Sequence, residues 1–226
     1  MKCRTRIVCL HLALFGLLFS ASAMAKEYKR YFVGDASVPT PGQVSPGLLL
    51  MGGGDRNYDA LRWFLAKSGN GHVVVLRASQ STDVADELFH DVGGVASVET
   101  FVFSGRESSA DPALLASLAK ADGIFIAGGD QSRYVRFWKG TPVAAALDAH
   151  VKAGKPIGGT SAGLAILGEY LYGAMDGGSI VSPEALADPL GPATTIEHDF
   201  LHIDLLKGVV TDTHFTERER LGRLFA

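Results

Sequence analysis

The feature that most constrains this chain is a series of short, uninterrupted apolar runs, each separated from the next by an amphipathic stretch. Leu48-Leu49-Leu50-Met51 ends in Gly52-Gly53-Gly54, and His72-Val73-Val74-Val75-Leu76 follows. Val95 to Phe103 is a third run, Gly123-Ile124-Phe125-Ile126-Ala127 leads into Gly128-Gly129-Asp130, and Pro156-Ile157 is a very short last one. A strand with one wet face alternates apolar and polar residues, so runs that are apolar throughout need cover on both faces. Between them, Leu61, Phe64 and Leu65, the stretch around Val84 to Phe89, Leu114, Leu115 and Leu118, and Val143 to Val151 carry helical spacing. These patterns predict an α/β fold, a mainly parallel sheet with helices on both faces. From Gly173 to Pro192 the periodicity fades into small residues, which reads as a long surface loop of the kind that caps a site. Gly208-Val209-Val210-Thr211 is the clearest strand of a second β section, and Glu217 to Phe225 has a helical pattern.

The segment ahead of the first run divides in two. Lys2, Arg4 and Arg6 precede an apolar stretch from Ile7 to Phe19, and Ala23-Met24-Ala25 then supplies small residues around a cleavage point. That arrangement predicts a signal peptide over residues 1–25, with an exported product, periplasmic or secreted. The stretch is shorter than the ~20 residues a membrane span needs, so no membrane attachment is expected after cleavage. Residues 26–46 read as a polar, proline-bearing leader, and 47–226 as one catalytic-type domain. Both cysteines, Cys3 and Cys9, fall in the segment to be removed, which excludes a cysteine nucleophile and a cysteine-held zinc from the mature chain. The reading calls for no metal and no cofactor. A net charge of -3 offers no field for nucleic acid, so a small molecule or a peptide is the expected partner.

Gly159-Thr160-Ser161-Ala162-Gly163 stands where a strand hands over to a helix. That is the setting of a nucleophile elbow: a tight, strained turn lifts the serine hydroxyl above the strand end, and the helix N-terminus beyond favours developing negative charge. A glycine-rich turn that only packs closely has the same pattern. A nucleophilic serine needs a base. Of the histidines, His72 begins a strand, His90 and His150 sit in helical patterns, and His198 and His202 lie in a polar stretch. His214 comes at the end of Val209-Val210, where active residues of open α/β sheets collect, and is the candidate base.

Three motifs in one order, Gly128-Gly129-Asp130-Gln131, Gly158 to Gly163, and Asp212-Thr213-His214-Phe215 followed by Arg218, Arg220 and Arg223, resemble the S51 peptidases, the cyanophycinase and dipeptidase E family. The resemblance implies a three-layer sheet topology similar to class I glutamine amidotransferases, flavodoxin-like, with serine in place of their cysteine. It implies cleavage beside an aspartyl residue, as in β-aspartyl-arginine released from a cyanophycin-like polymer, and suggests a homodimer. Carried onto this chain it makes Ser161 the nucleophile and His214 the base, with the N–H groups of Ala162 and Gly129 as oxyanion donors. Gln131, Asp212, Thr213, Arg218, Arg220 and Arg223 become substrate-binding candidates. Asp130 fits a helix cap as well as a site role, and the arginines fit a solvated face paired with Glu217 and Glu219 as well as a carboxylate clamp.

Two departures stand out. Thr213 replaces the glutamine that precedes the histidine in cyanophycinases, and one hydroxyl cannot make an amide's pair of hydrogen bonds. The family's acidic triad member lies past the helix after the histidine, so it is expected beyond Ala226, with the domain truncated at its C-terminus. Asp212 and Glu197 are the local carboxylates that could substitute. A serine esterase shares the elbow, but its acid lies between serine and histidine on a longer chain. A protein of the same fold that binds peptides without turnover is the remaining alternative.

Overall fold

A computed structural model describes residues 28–79, 83–176 and 178–226. The proposed signal segment and its two cysteines lie outside the described residues. The first strands and helix are β1 (Tyr28–Gly34), β2 (Leu48–Met51), α1 (Tyr58–Lys67) and β3 (His72–Arg77). Then come α2 (Asp83–Asp86), prolonged by a π-helical turn Glu87–Val92, β4 (Ser97–Phe103), α3 (Pro112–Lys120) and β5 (Gly123–Ile126). After α4 (Gln131–Trp138) and α5 (Pro142–Lys152), β6 (Ile157–Thr160) leads through Ser161 into α6 (Ala162–Ala165).

These strands make one sheet in the order β1-β4-β3-β5-β6-β2, parallel throughout except for β1. The four positions β4-β3-β5-β6 reproduce the 2-1-3-4 order of a flavodoxin-like sheet; the fifth is filled by β2, which precedes the rest in sequence. Along β3 the apolar run splits by parity. Val74 and Leu76 face a core with Leu114, Leu118, Trp138 and Leu147 of α3, α4 and α5. Val73 and Val75 face another with Leu61, Phe64, Leu65 and Leu88. Burial on both faces is why the run carries no polar alternation. The helices start where the sequence supplies caps: Asn57 accepts from Ala60, and Asp111 from Ala113 and Leu114 ahead of Pro112.

Residues 28–34, read above as leader, instead form β1 and pair antiparallel with β4 from Tyr28↔Phe103 to Gly34↔Ser97. Only Tyr28 of this strand is buried, so β1 blankets the edge of β4 and looks outward itself. The rest of the strand is exposed or half-buried on both faces, so its sequence needs no apolar run. The stretch from Gly173 to Pro192 is likewise not all loop, since it holds α7 (Ser182–Ala187). Around it a second sheet forms from β7 (Tyr170–Tyr172), β8 (Ile196–His198) and β9 (Val210–Thr211), in the order β8-β7-β9. The last helix, α8, covers only Leu221–Phe225 of the helical pattern. No helix among the described residues is long and apolar enough to cross a membrane.

Candidate active site

The chain reverses its direction of sheet-building between β3 and β5, and the crevice outside the carboxyl ends of the strands opens there. A cleft of about 890 Å³ occupies it, lined by Gly53 and Gly54 after β2, Arg77 at the end of β3, Gly128 after β5, and Thr160 and Ser161 after β6. Asp83, Asp86 and Glu87 form its far wall, while His214 and Arg218 descend from the second sheet's side.

Ser161 stands at φ 51°, ψ -123°, a conformation that L residues avoid, at the junction of β6 and α6. Two contacts hold it. Its N–H donates to the carbonyl of Met51 at 3.0 Å, and the carbonyl of Ser161 accepts from Ala165 at 2.9 Å. Gly163 must lack a side chain, because a Cβ there would lie 2.0 Å from the carbonyl oxygen of Ile126. The elbow therefore rests on the next strand, which fixes the serine over the cleft.

His214 follows β9 by three residues and is itself left-handed, at φ 59°. Its N–H donates to the carbonyl of Gly52 at 2.9 Å, and its ring lies so close to Gly53 that a Cβ there would fall 2.2 Å from Cε1. The triple glycine after β2 is thus the bed of the imidazole, a role the sequence reading did not assign, although three glycines at a strand's end were its signal. Ser161 Oγ and His214 Nε2 are 2.7 Å apart. Burial, then the charges of Arg218 and Arg220, lowers the pKa of His214 against the opposing pull of Glu217. A neutral imidazole that accepts at Nε2 bears its proton on Nδ1, and Nδ1 is buried with no hydrogen-bond partner among the described residues.

Neither local carboxylate reaches it. Glu197 pairs with Lys139 at 2.7 Å. Asp212 does not share a strand face with His214, because β9 ends at Thr211 and the chain turns. Instead Asp212 forms a buried bidentate pair with Arg223, whose Nε lies 2.9 Å from Oδ2. Arg223 also donates to Ser179 Oγ and the carbonyl of Ile180, and stacks 3.9 Å from the ring centre of Tyr172. Asp212 and Arg223 line a separate hollow beside Leu190 and Leu224, away from Ser161.

The other candidates scatter. Ala162, buried, opens α6 next to the nucleophile, and Gly129 is exposed at φ 150° beyond Gly128. Gln131 is buried under Tyr172, to whose carbonyl it donates at 3.5 Å. Thr213 is buried, with its N–H held by Asp212. Arg220 is buried with Nε unpartnered among the described residues, and neither Gln131, Thr213 nor Arg220 lines the cleft. Asp130 caps α4, accepting from the N–H of Ser132 at 2.9 Å. No group of three metal-ligating side chains occurs among the described residues.

The family model of peptidase family S51 matches residues 48–219. A cyanophycinase of Synechococcus elongatus is 34% identical over 157 residues, covering 68% of this chain and 45% of that protein. A cyanophycinase of Trichormus variabilis is 27% identical over 198 residues, covering 83% and 62%. The chain thus spans about half the length of the curated relatives it matches. Among solved structures, a peptidase from an acI-B1 Actinobacterium aligns with TM-score 0.48 at 15% identity, over 57% of this chain and 59% of that one.

Proposed function

Since the chain belongs to peptidase family S51, we propose that it is an exported serine-type peptidase that cleaves aspartyl or β-aspartyl bonds, such as that of β-aspartyl-arginine, through Ser161 and His214. The observation that carries this reading is the 2.7 Å approach of Ser161 Oγ to His214 Nε2 on a strained elbow at the floor of the cleft. The names of the cyanophycinase relatives support the aspartyl bond. Export rests on the pattern of residues 1–25.

In this mechanism Ser161 Oγ attacks the scissile carbonyl as Nε2 takes its proton. The C–N bond then breaks as Nε2 returns that proton to the leaving amine. A water, deprotonated by the same nitrogen, opens the acyl-enzyme and restores the serine. The N–H of Ala162, first in α6, and that of Gly129 are the donors to the oxyanion. The lowered pKa of His214 keeps it neutral, hence basic, at neutral pH.

That Nδ1 is buried with no partner among the described residues favours a second reading, peptide binding without turnover, because a histidine whose tautomer no acid holds costs a triad about 10⁴ in kcat. One experiment tests both. The chain is incubated with a fluorophosphonate probe and, separately, with β-aspartyl-arginine and α-aspartyl-arginine, beside Ser161→Ala. Labelling and hydrolysis that vanish in Ser161→Ala support the peptidase, with the favoured isomer giving the bond type. Binding of either dipeptide without labelling or hydrolysis would leave the second reading standing.

A further inference from the structure

β3 is apolar on both faces from Val73 to Leu76, and at its last residue a charge appears: Arg77. It is 8% exposed and faces the α1 and α2 side, on the parity of Val73 and Val75. Its Nη2 donates to Ser79 Oγ at 3.0 Å, and its buried Nε has no hydrogen-bond partner among the described residues. None of the ion pairs among the described residues includes it; the neighbouring Arg56 takes Glu87 at 2.9 Å. Asp83 is close enough to act on it electrostatically, yet a desolvated guanidinium with an unsatisfied N–H is costly, and a folded chain keeps such a group where something other than stability requires it.

Its position says what that is. Arg77 lines the same cleft as Ser161, two strands away across β5, which is on the order of 10 Å at the usual strand spacing. Ser79, which holds its Nη2, also lies 3.4 Å from the carbonyl of Gly128, the turn that separates the two residues in the cleft. A planar guanidinium with free donors at the floor of a site matches the geometry of a carboxylate.

We propose that Arg77 is the subsite for a free carboxylate of the substrate, a specificity element of the cleft distinct from the arginines after His214. This rests on the peptidase reading for its substrate, though not for the anion site itself. Asp83, Asp86 and Asp91 line the same cleft, so a cationic group of the substrate is accommodated beside the carboxylate. In β-aspartyl-arginine the carboxylate has two sources, the aspartyl α-carboxylate and the C-terminus.

The test is calorimetric binding to the full chain carrying Ser161→Ala, with and without Arg77→Met, for β-aspartyl-arginine, its two monoamides and its diamide. We expect Arg77→Met to weaken the dipeptide 10- to 100-fold and leave the diamide unchanged. The monoamide that loses its dependence on Arg77 names the carboxylate. Because the substitution removes a desolvated charge that makes no ion pair among the described residues, Tm should stay or rise. No measurable dipeptide binding by the Ser161→Ala chain, equal affinities with and without Arg77→Met, or an equal loss for the diamide would overturn the proposal. A melt showing Arg77→Met unfolded shifts the comparison to Arg77→Gln, which also removes the charge and to which the same outcomes apply. If instead hydrolysis by the unmodified chain proves independent of Ser161 while Arg77-dependent binding persists, the peptidase reading fails and the anion site remains.

Discussion

His214 is held by packing more than by hydrogen bonds. Its ring lies on Gly53, and at φ +100° that residue occupies a region where a Cβ is strained even in open space. Gly53→Ala would set a methyl 2.2 Å from Cε1, so either the turn or the imidazole must move. A misplacement of about 1 Å between reacting groups can cost ~10²-fold. We expect kcat to fall on that order while Tm drops by only a few degrees, checked by steady-state kinetics beside thermal melts. A kcat within twofold of the parent would show that the ring can shift without consequence. Ser161 was legible because glycines at fixed offsets and a strand-to-helix handover are local properties; the bed of His214 was not, since Gly53 and His214 are far apart in sequence.

At the scale of elements, α8 has its charged anchor in Arg223. Arg223 pairs with Asp212, two residues before His214, and reaches Ser179 and Ile180 ahead of α7. It therefore ties three segments that the main sheet does not hold. Removing one member of a buried pair leaves the other uncompensated, at a cost of ~3–5 kcal/mol. Arg223→Ala should lower the urea midpoint accordingly. Ser182→Ala, which removes the hydroxyl that accepts from Gly222 at 2.8 Å, should cost only about 1 kcal/mol. Comparable midpoints for the two variants would mean that the pair contributes no more than a single neutral contact. The motif Asp212 to Arg223 was visible in the sequence, but whether its charges met a ligand or each other was not. Spacing places residues on a chain and leaves their partners open.

For the whole molecule, the buried His150 makes stability depend on acid. Burial lowers its pKa from 6.5 to about 4, and Nε2 lies 3.0 Å from the carbonyl of Pro156, the residue before β6. The folded state resists protonation that the unfolded chain accepts. The contribution is thus present above pH 6.5 and is lost as pH falls from there toward 4, amounting to about 3 kcal/mol at ~1.4 kcal/mol per pKa unit. Urea unfolding at pH 7 and pH 4, for the parent and His150→Gln, measures it. The variant should lose less stability on acidification than the parent does, and equal losses would remove His150 as the source.

What the sequence determined by itself is what repeats along it. Apolar runs between helical patterns specify a parallel sheet covered on both faces, and glycine offsets specify the elbow at Ser161, because both follow from backbone geometry over a few residues. The tertiary structure decided everything that depends on distant segments meeting. It turned residues 28–34 into the strand covering β4, a pairing along the edge that leaves most of its side chains exposed. It joined Asp212 to Arg223, set the imidazole of His214 on Gly53 with Nδ1 unpartnered among the described residues, and placed the charge of Arg77 beneath the cleft. Charges and rings are satisfied by whatever the fold brings within a few ångströms, and no local pattern encodes that.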